Sequence, residues 1–282
     1  MSDSLLQPIL AMIGHPVAGN PTQYMIEKAF SHHQLDWRYL SLDVVPDDLA
    51  TAVRGMRAMG FAGGNCSEPH KQAILQYLDR NGQAAELAGV VNLFIRQGDQ
   101  LVGENTEGKA VLQALTRRTD PAGKHVVILG TGRIARATAI EAALAKTAQL
   151  TVVCRNETAG NELVELLTHK LQANATRLPW EDQFEVPADT NVLINATSIC
   201  EGDADAELPL KLDHVTEETV VVDVTTLPPR TWLVRHAEER GCQAVDGLEI
   251  FVEQTAINFK LWTGIEPDST VMYEAVEEFL EL

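Results

Sequence analysis

Short apolar runs and stretches of helical spacing alternate along the chain, in two series. In the first, residues 9–14 form an apolar run ending at a turn and predict a strand. Helical spacing over 22–33 puts Tyr24, Met25, Ala29 and Phe30 on one face. Residues 37–44 alternate as a strand does. A helix over 49–59 follows, with Val53, Met56 and Arg57 a turn apart and Gly60 to close it. A small-residue strand over 61–66, a break at Pro69 and a helix over 71–79 come next. Strands over 90–95 and 100–103 flank Gln97-Gly98-Asp99 and predict a hairpin.

The second series begins near Glu107, with a helix over 108–116. His125-Val-Val-Ile-Leu129 is continuously apolar, the pattern of a strand buried on both faces of a parallel sheet. Segments 150–154, 191–196, 219–224 and 243–245 repeat that pattern, and an alanine-rich helix spans 134–145. Two helices, 251–262 and 269–280, close the chain. Strand, helix, strand at this spacing is a βαβ series, so the class is α/β. The length of 282 residues exceeds that of a usual single domain and predicts two.

Charge narrows the partners. Forty acidic against 22 basic residues give a net charge of -18, which repels phosphate backbones and argues against nucleic acid. An anionic cofactor or substrate therefore needs its own Lys or Arg beside a turn. No stretch approaches the roughly 20 apolar residues of a membrane span. Segment 1–8 carries acid rather than base and does not read as a secretory signal. Cys66, Cys154, Cys200 and Cys242 lie far apart without a CxxC pair, so reduced thiols in a cytoplasmic protein are expected, and no metal site. Whether the chain is a monomer or a homodimer is not legible in its composition.

The most telling local motif is Gly130-Thr131-Gly132-Arg133-Ile134-Ala135, which follows an apolar strand and opens a helix. In such a GxGxxA turn the first glycine permits the bend and the second lets backbone approach a pyrophosphate. The alanine keeps helix and strand close. Helix N-terminal amides then face the phosphate oxygens. The next strand ends at Arg155, where NAD-preferring folds place an acid for the ribose hydroxyls. A guanidinium suits a 2′-phosphate, so NADP(H) is the expected cofactor, with NAD the alternative because Glu157 stands nearby.

Further segments are ordered along the chain. They are Gly14-His-Pro-Val-Ala-Gly-Asn20-Pro-Thr22, Gly64-Asn65-Cys66-Ser67-Glu68-Pro69-His70-Lys71, Gly89-Val-Val-Asn92 and Gly103-Glu-Asn105-Thr106-Glu107-Gly108. Ile194-Asn195-Ala196-Thr197-Ser198, Asp223-Val224 with Pro228 and Thr231, and Gly247-Leu248 through Gln254 to Gly264 continue the series. Their order and spacing resemble the shikimate dehydrogenase family over nearly the whole chain.

The resemblance implies an N-terminal α/β substrate domain, 1–106, completed by C-terminal helices over 247–282. It implies a Rossmann dinucleotide-binding domain over 107–246 and NADPH-linked reduction of 3-dehydroshikimate to shikimate or a close analogue. It makes Lys71 and Glu107 the catalytic pair, and Asn20, Thr22, Ser67, Asn92 and Gln254, with Asn105, the substrate contacts. Thr197 and Gly247 join Gly130, Thr131, Gly132, Arg133, Ile134 and Arg155 on the cofactor side. A lysine beside a carboxylate suits the chemistry, because a proton moves on the substrate oxygen as hydride moves on its carbon.

Several positions depart from the family pattern. The S-x-S pair that holds a substrate carboxylate is Asn20-Pro-Thr22, preceded by Gly19 in place of histidine. The N-V-T threonine is Ser67, and the catalytic aspartate is Glu107, one methylene longer. The tyrosine after D-V is absent, with Thr225 and Thr226 there, and the I-N-A-T-S run ends Ile199-Cys200-Glu201. These departures bear on the substrate more than on the reaction. Quinate- and aminoshikimate-type dehydrogenases are the alternatives within the family. Outside it stand a non-catalytic sensor of cofactor or metabolite and a methylenetetrahydrofolate dehydrogenase-like enzyme.

Overall fold

A computed structural model describes residues 6–282. Most of segment 1–8, read above as no secretory signal, lies outside the described residues. The chain divides into two compact units, one running to Thr106 and taking in Gln254–Leu282, the other Glu107–Glu253.

The first unit contains β1 (Ile9–Gly14), α1 (Thr22–His32), β2 (Arg38–Asp43), α2 (Leu49–Ala58), β3 (Gly63–Cys66) and α3 (His70–Ala73). It continues with β4 (Arg80–Asn81), α4 (Gln83–Ala88), β5 (Leu93–Gln97) and β6 (Gln100–Glu104). The sheet order is β2-β1-β3-β5-β6-β4. β1 is parallel to β2 and β3, and β5 lies antiparallel to both β3 and β6. The sheet is therefore mixed, and the expected hairpin is present. β3 is Gly-Gly-Asn-Cys because its neighbours leave no room: a Cβ on Gly64 would stand 1.9 Å from the Ala11 carbonyl oxygen. Ala11, Ile13, Val53, Met56, Phe94 and Leu101 belong to the core on this sheet.

One expectation here is corrected. The helix predicted over 71–79 is a single α turn, α3, followed by a 3-10 turn at Ile74–Tyr77. Leu78 is already extended. The cause is Asp79, whose backbone N–H donates to Leu101 and whose carboxylate accepts from Leu101 N–H and Arg57. Those bonds draw the chain into the sheet beside β6.

The second unit holds α5 (Glu107–Thr116), β7 (His125–Leu129), α6 (Arg133–Leu144), β8 (Gln149–Cys154), α7 (Glu157–Leu171), β9 (Ala175–Pro179) and β10 (Phe184–Glu185). β11 (Val192–Asn195), β12 (Leu210–Lys211), β13 (Val220–Asp223), α8 (Trp232–Glu239) and β14 (Gln243–Val245) follow. α9 (Gly247–Thr263) spans the division between the units, and α10 (Ser269–Leu280) ends the chain. β14-β13-β11-β7-β8-β9 is one all-parallel sheet, while β10 and β12 pair separately. Read from β9 inward, this is the doubly wound order, which reverses direction between β7 and β11. β7 is buried throughout, as its apolar run requires.

The C-terminal helices return to the first unit. Phe259 of α9 stacks 5.8 Å from Phe30 of α1, and Trp262 Nε1 donates to the Phe94 carbonyl. α10 lies along α1, joined by Lys28 to Glu278 at 3.1 Å and by Tyr24 against Phe279.

Candidate active site

The glycine turn expected to meet the cofactor lies where the parallel sheet reverses. Gly130 leaves β7 at φ +106, a conformation open to glycine, and its N–H donates to Val153 of β8. A Cβ there would sit 3.0 Å from the Ala196 carbonyl oxygen, so the turn lies directly against the segment after β11.

Gly132, the residue before α6, is different. Its backbone is extended at φ -65, which any residue can adopt, and a Cβ would meet nothing within 4 Å. Neither strain nor packing explains a glycine there. The backbone at the N-terminus of α6 is open to approach, the place where a pyrophosphate sits in folds of this kind. Arg133 and Ile134 are exposed beside it, while Ala135 is fully buried against the sheet.

The segment after β11 is shaped by a buried polar network. Asn195 Nδ2 donates to Asp223 Oδ1, which also accepts from Thr225 N–H, and Thr231 Oγ1 donates to Asp223 Oδ2. Asn195 Oδ1 in turn accepts from both the backbone N–H and the hydroxyl of Thr197. Asn195, Asp223 and Thr231 are completely buried, so these motif residues hold loops in place beneath the turn. Gly247 also has a packing cause, since its Cβ would stand 2.2 Å from the Thr225 carbonyl oxygen.

Arg155 is exposed at the end of β8, above Asn156, whose side chain caps α7 by accepting from Ala159 N–H. It lines a pocket with Trp180, Glu181, Asp182, Ile199 and Pro209. Glu157, which stood against an NADP preference, pairs instead with Arg177 at 2.8 Å. The four cysteines are buried thiols. Burial pushes the Cys200 thiol up to about 11, with Asp223 adding to it, so it stays protonated.

Most residues expected to meet substrate lie in the first unit. Lys71 stands in α3, its side chain 20% exposed. Its carbonyl accepts from Val91 N–H at 2.8 Å, and the ring of neighbouring His70, almost fully buried, bonds the Val44 carbonyl. Asn92 is buried and faces Thr106: its Nδ2 donates to Thr106 Oγ1, and its Oδ1 accepts from Thr106 N–H, both at 2.8 Å. Thr106 Oγ1 then donates to Asn258 of α9 at 2.7 Å. Asn65 accepts from the buried Tyr39 hydroxyl and donates to the Asn92 carbonyl. Burial pushes the Tyr39 phenol well above its ordinary range, so it remains a donor.

Beyond these two bonds the Asn92 amide has a second N–H and a second lone pair. Asn105 is buried with its amide toward the Val90 carbonyl, and Gln254 is half-buried on α9. Glu107 is buried in the first turn of α5, next in sequence to the Thr106 that Asn92 grips. Ser67 donates its N–H to Ile13 and accepts from His70 N–H. Thr22 is buried at the start of α1, and its N–H is taken by the Asn20 side-chain oxygen at 3.0 Å.

Sequence reasoning missed Tyr39, Thr106 and Asn258 as members of this network. Tyr39 lies in a strand of alternating pattern, and Asn258 meets Thr106 only through the return of α9, so neither carries a local signal. Among the described residues, no group of His, Cys, Asp and Glu could hold a metal ion, and no helix is long and apolar enough to cross a membrane.

Known proteins carry the same architecture. Residues 12–94 match the shikimate dehydrogenase substrate-binding domain, and 247–277 match the shikimate 5'-dehydrogenase C-terminal domain. The shikimate dehydrogenase (NADP(+)) of Methanopyrus kandleri is 35% identical over 277 residues, covering 96% of each chain. Among solved structures, the ligand-free 5-ketofructose reductase of Gluconobacter sp. strain CHM43 is 41% identical with a TM-score of 0.95, over 98% of this chain and 99% of that one. Shikimate 5-dehydrogenase from Listeria monocytogenes, in complex with shikimate and NAD, is 30% identical with a TM-score of 0.89, over 96% of each. Likeness in sequence over nearly the full length, with the same two-unit fold, makes this chain a member of the shikimate dehydrogenase family.

Proposed function

We propose that this protein is an NADP(H)-dependent oxidoreductase that interconverts a ketone and an alcohol on a polyhydroxy substrate, with Lys71 and Glu107 as its acid–base pair. The observation that carries the cofactor reading is the empty space beside Gly132, at the head of α6 and at the reversal of the sheet. Gly130, Thr131, Gly132, Arg133 and Ile134 would receive the pyrophosphate, and Thr197 and Gly247 would border it. Arg155, free of competition from Glu157, would pair with a 2′-phosphate and favour NADP(H) over NAD. NADPH, when bound, supplies the hydride.

The remaining chemistry belongs to side chains. Lys71 gives a proton to the carbonyl oxygen in reduction and withdraws it in oxidation, while Glu107 holds the ammonium in position. Ser67, Asn92, Asn105 and Gln254 pair with hydroxyls. Amides that are buried reject ligands unable to pair with them, which selects for polyols.

For the substrate itself, a neutral polyhydroxy ketone such as 5-ketofructose is the preferred reading. Asn20-Pro-Thr22 replaces the hydroxyl pair that would grip a carboxylate, and the Asn20 oxygen is already engaged by Thr22. The 41% identity to a 5-ketofructose reductase points the same way. The second reading is 3-dehydroshikimate reduced to shikimate, supported by the names of relatives such as that of Methanopyrus kandleri. Thr22 retains a hydroxyl that can donate to a carboxylate.

NADPH consumption measured with each ketone decides between them. The proposal expects kcat/KM for 5-ketofructose to exceed that for 3-dehydroshikimate by about tenfold or more. The reverse order would establish the shikimate reading. Tight NADPH binding without turnover of either, or of quinate, would mark a sensor.

A further inference from the structure

From the surroundings of Lys71 we infer that Glu68 is a specificity-determining residue that turns anionic substrates away. The inference rests on the proposed role of Lys71 and deepens it, because it specifies the charge of the substrate. Glu68 Oε1 lies 4.0 Å from Lys71 Nζ, one turn earlier in the same segment, with side chains 47% and 20% exposed respectively. At that distance the carboxylate is beyond a hydrogen bond to the ammonium yet adds its field to the space around it.

The backbone around it is held at three points. The Glu68 carbonyl accepts from His15 N–H at 2.9 Å, Ser67 N–H donates to Ile13 at 2.8 Å, and the Lys71 carbonyl is held by Val91. The same His15 bond ties Glu68 to the start of the segment that carries Asn20 and Thr22. A Cβ on Gly14 would lie 3.0 Å from Ser67 Cβ and 3.4 Å from the Glu68 carbonyl oxygen.

The Glu68 carboxylate offsets the Lys71 ammonium beside it, in a chain whose net charge is -18. The pair has no net positive charge with which to draw an anion in, and the Glu68 carboxylate itself repels one. A substrate carboxylate arriving there meets repulsion, and Asn20 has given its oxygen to Thr22 N–H instead of a hydroxyl to the ligand. A neutral polyol meets no repulsion, and its hydroxyls can donate to the Glu68 carboxylate. A unit charge several ångströms away in a partly solvated site alters anion affinity by about tenfold.

The test measures kcat/KM for 3-dehydroshikimate and for 5-ketofructose in wild type, Glu68→Gln and Glu68→Asp, at low and high salt. Glu68→Gln is expected to shift the ratio toward the anion by about tenfold, mainly through KM. Glu68→Asp should keep the wild-type ratio. Added salt should favour the anion in wild type and leave Glu68→Gln unmoved. An unchanged ratio in Glu68→Gln, or the same shift in Glu68→Asp, would overturn the inference.

A melting-temperature titration with shikimate accompanies the kinetics. If wild type turns over neither ketone, the proposed activity fails, and Glu68 is judged by that titration alone. Binding of shikimate about tenfold tighter in Glu68→Gln supports the inference, and equal binding refutes it.

Discussion

On the proposed reading, the two units solve recognition by opposite means. In Glu107–Glu253 the functional feature is backbone: a glycine turn, a helix N-terminus and an empty place where a Cβ would be. In the first unit it is side chain: Lys71 on a single helical turn, and buried amides and hydroxyls that bond one another. Backbone recognition tolerates a regular sheet, so the second unit is an all-parallel, apolar array. Side-chain recognition demands buried polar partners. The first unit therefore places Asn65 in a strand otherwise made of two glycines and a cysteine, and sets Tyr39 on it from β2.

If this division of labour is right, substitutions in the two units fail differently. The largest effect is expected at Lys71. Lys71→Ala should lower kcat by about a thousandfold while the NADPH Kd stays within about twofold, checked by steady-state kinetics and by NADPH fluorescence titration. Next is Gly132→Val, which fills the open place beside the N-terminus of α6. NADPH binding should weaken by about a hundredfold with the melting temperature unchanged. Gly64→Ala is its counterpart in the first unit. With a carbonyl oxygen 1.9 Å from the new Cβ, it should destabilise by about 3 kcal/mol in denaturant titration and damage folding before function.

A smaller effect is expected at Arg155. Arg155→Ala should reduce the preference for NADPH over NADH by about tenfold, read as a ratio of kcat/KM values. The smallest lies in a charged cluster on α5 and α9. Glu253 is buried between Gln113 and Arg117, and Arg118 holds Glu249 through two bonds at 2.5 and 2.7 Å. Burial pushes the Glu253 carboxyl above its ordinary 4.5, and Arg117 only partly restores it. A raised folded value means that the contribution of Glu253 to stability is complete below the ordinary value and lost as pH rises through the raised one. Glu253→Gln should flatten that decline of melting temperature with pH by about 3 °C.

The contrast also explains what the sequence disclosed. Buried parallel strands announce themselves as apolar runs, so β7, β8, β11, β13 and β14 were legible within a residue or two, and the glycine turn with them. α4, α7 and α8 were not predicted. α7 buries only Gly160, Leu163 and Leu167 of its fifteen residues, too thin a stripe to stand out. The shortness of α3 depends on Asp79 meeting Leu101 and Arg57, bonds that no local pattern records. For the proposed site, Lys71, Asn92 and Glu107 were singled out by ordered motifs. Thr106, whose hydroxyl links Asn92 to Asn258, stands 152 positions from Asn258, and only the folded chain reveals that bond.

The separation of roles is tested most directly by turnover as a function of NADPH concentration in Lys71→Ala and Gly132→Val, with the neutral ketone saturating. Gly132→Val should recover toward the wild-type rate as NADPH rises, whereas Lys71→Ala should reach a plateau about a thousandfold lower at an unchanged half-saturating concentration. Recovery of Lys71→Ala by added NADPH, or a plateau for Gly132→Val as low as that of Lys71→Ala, would contradict it.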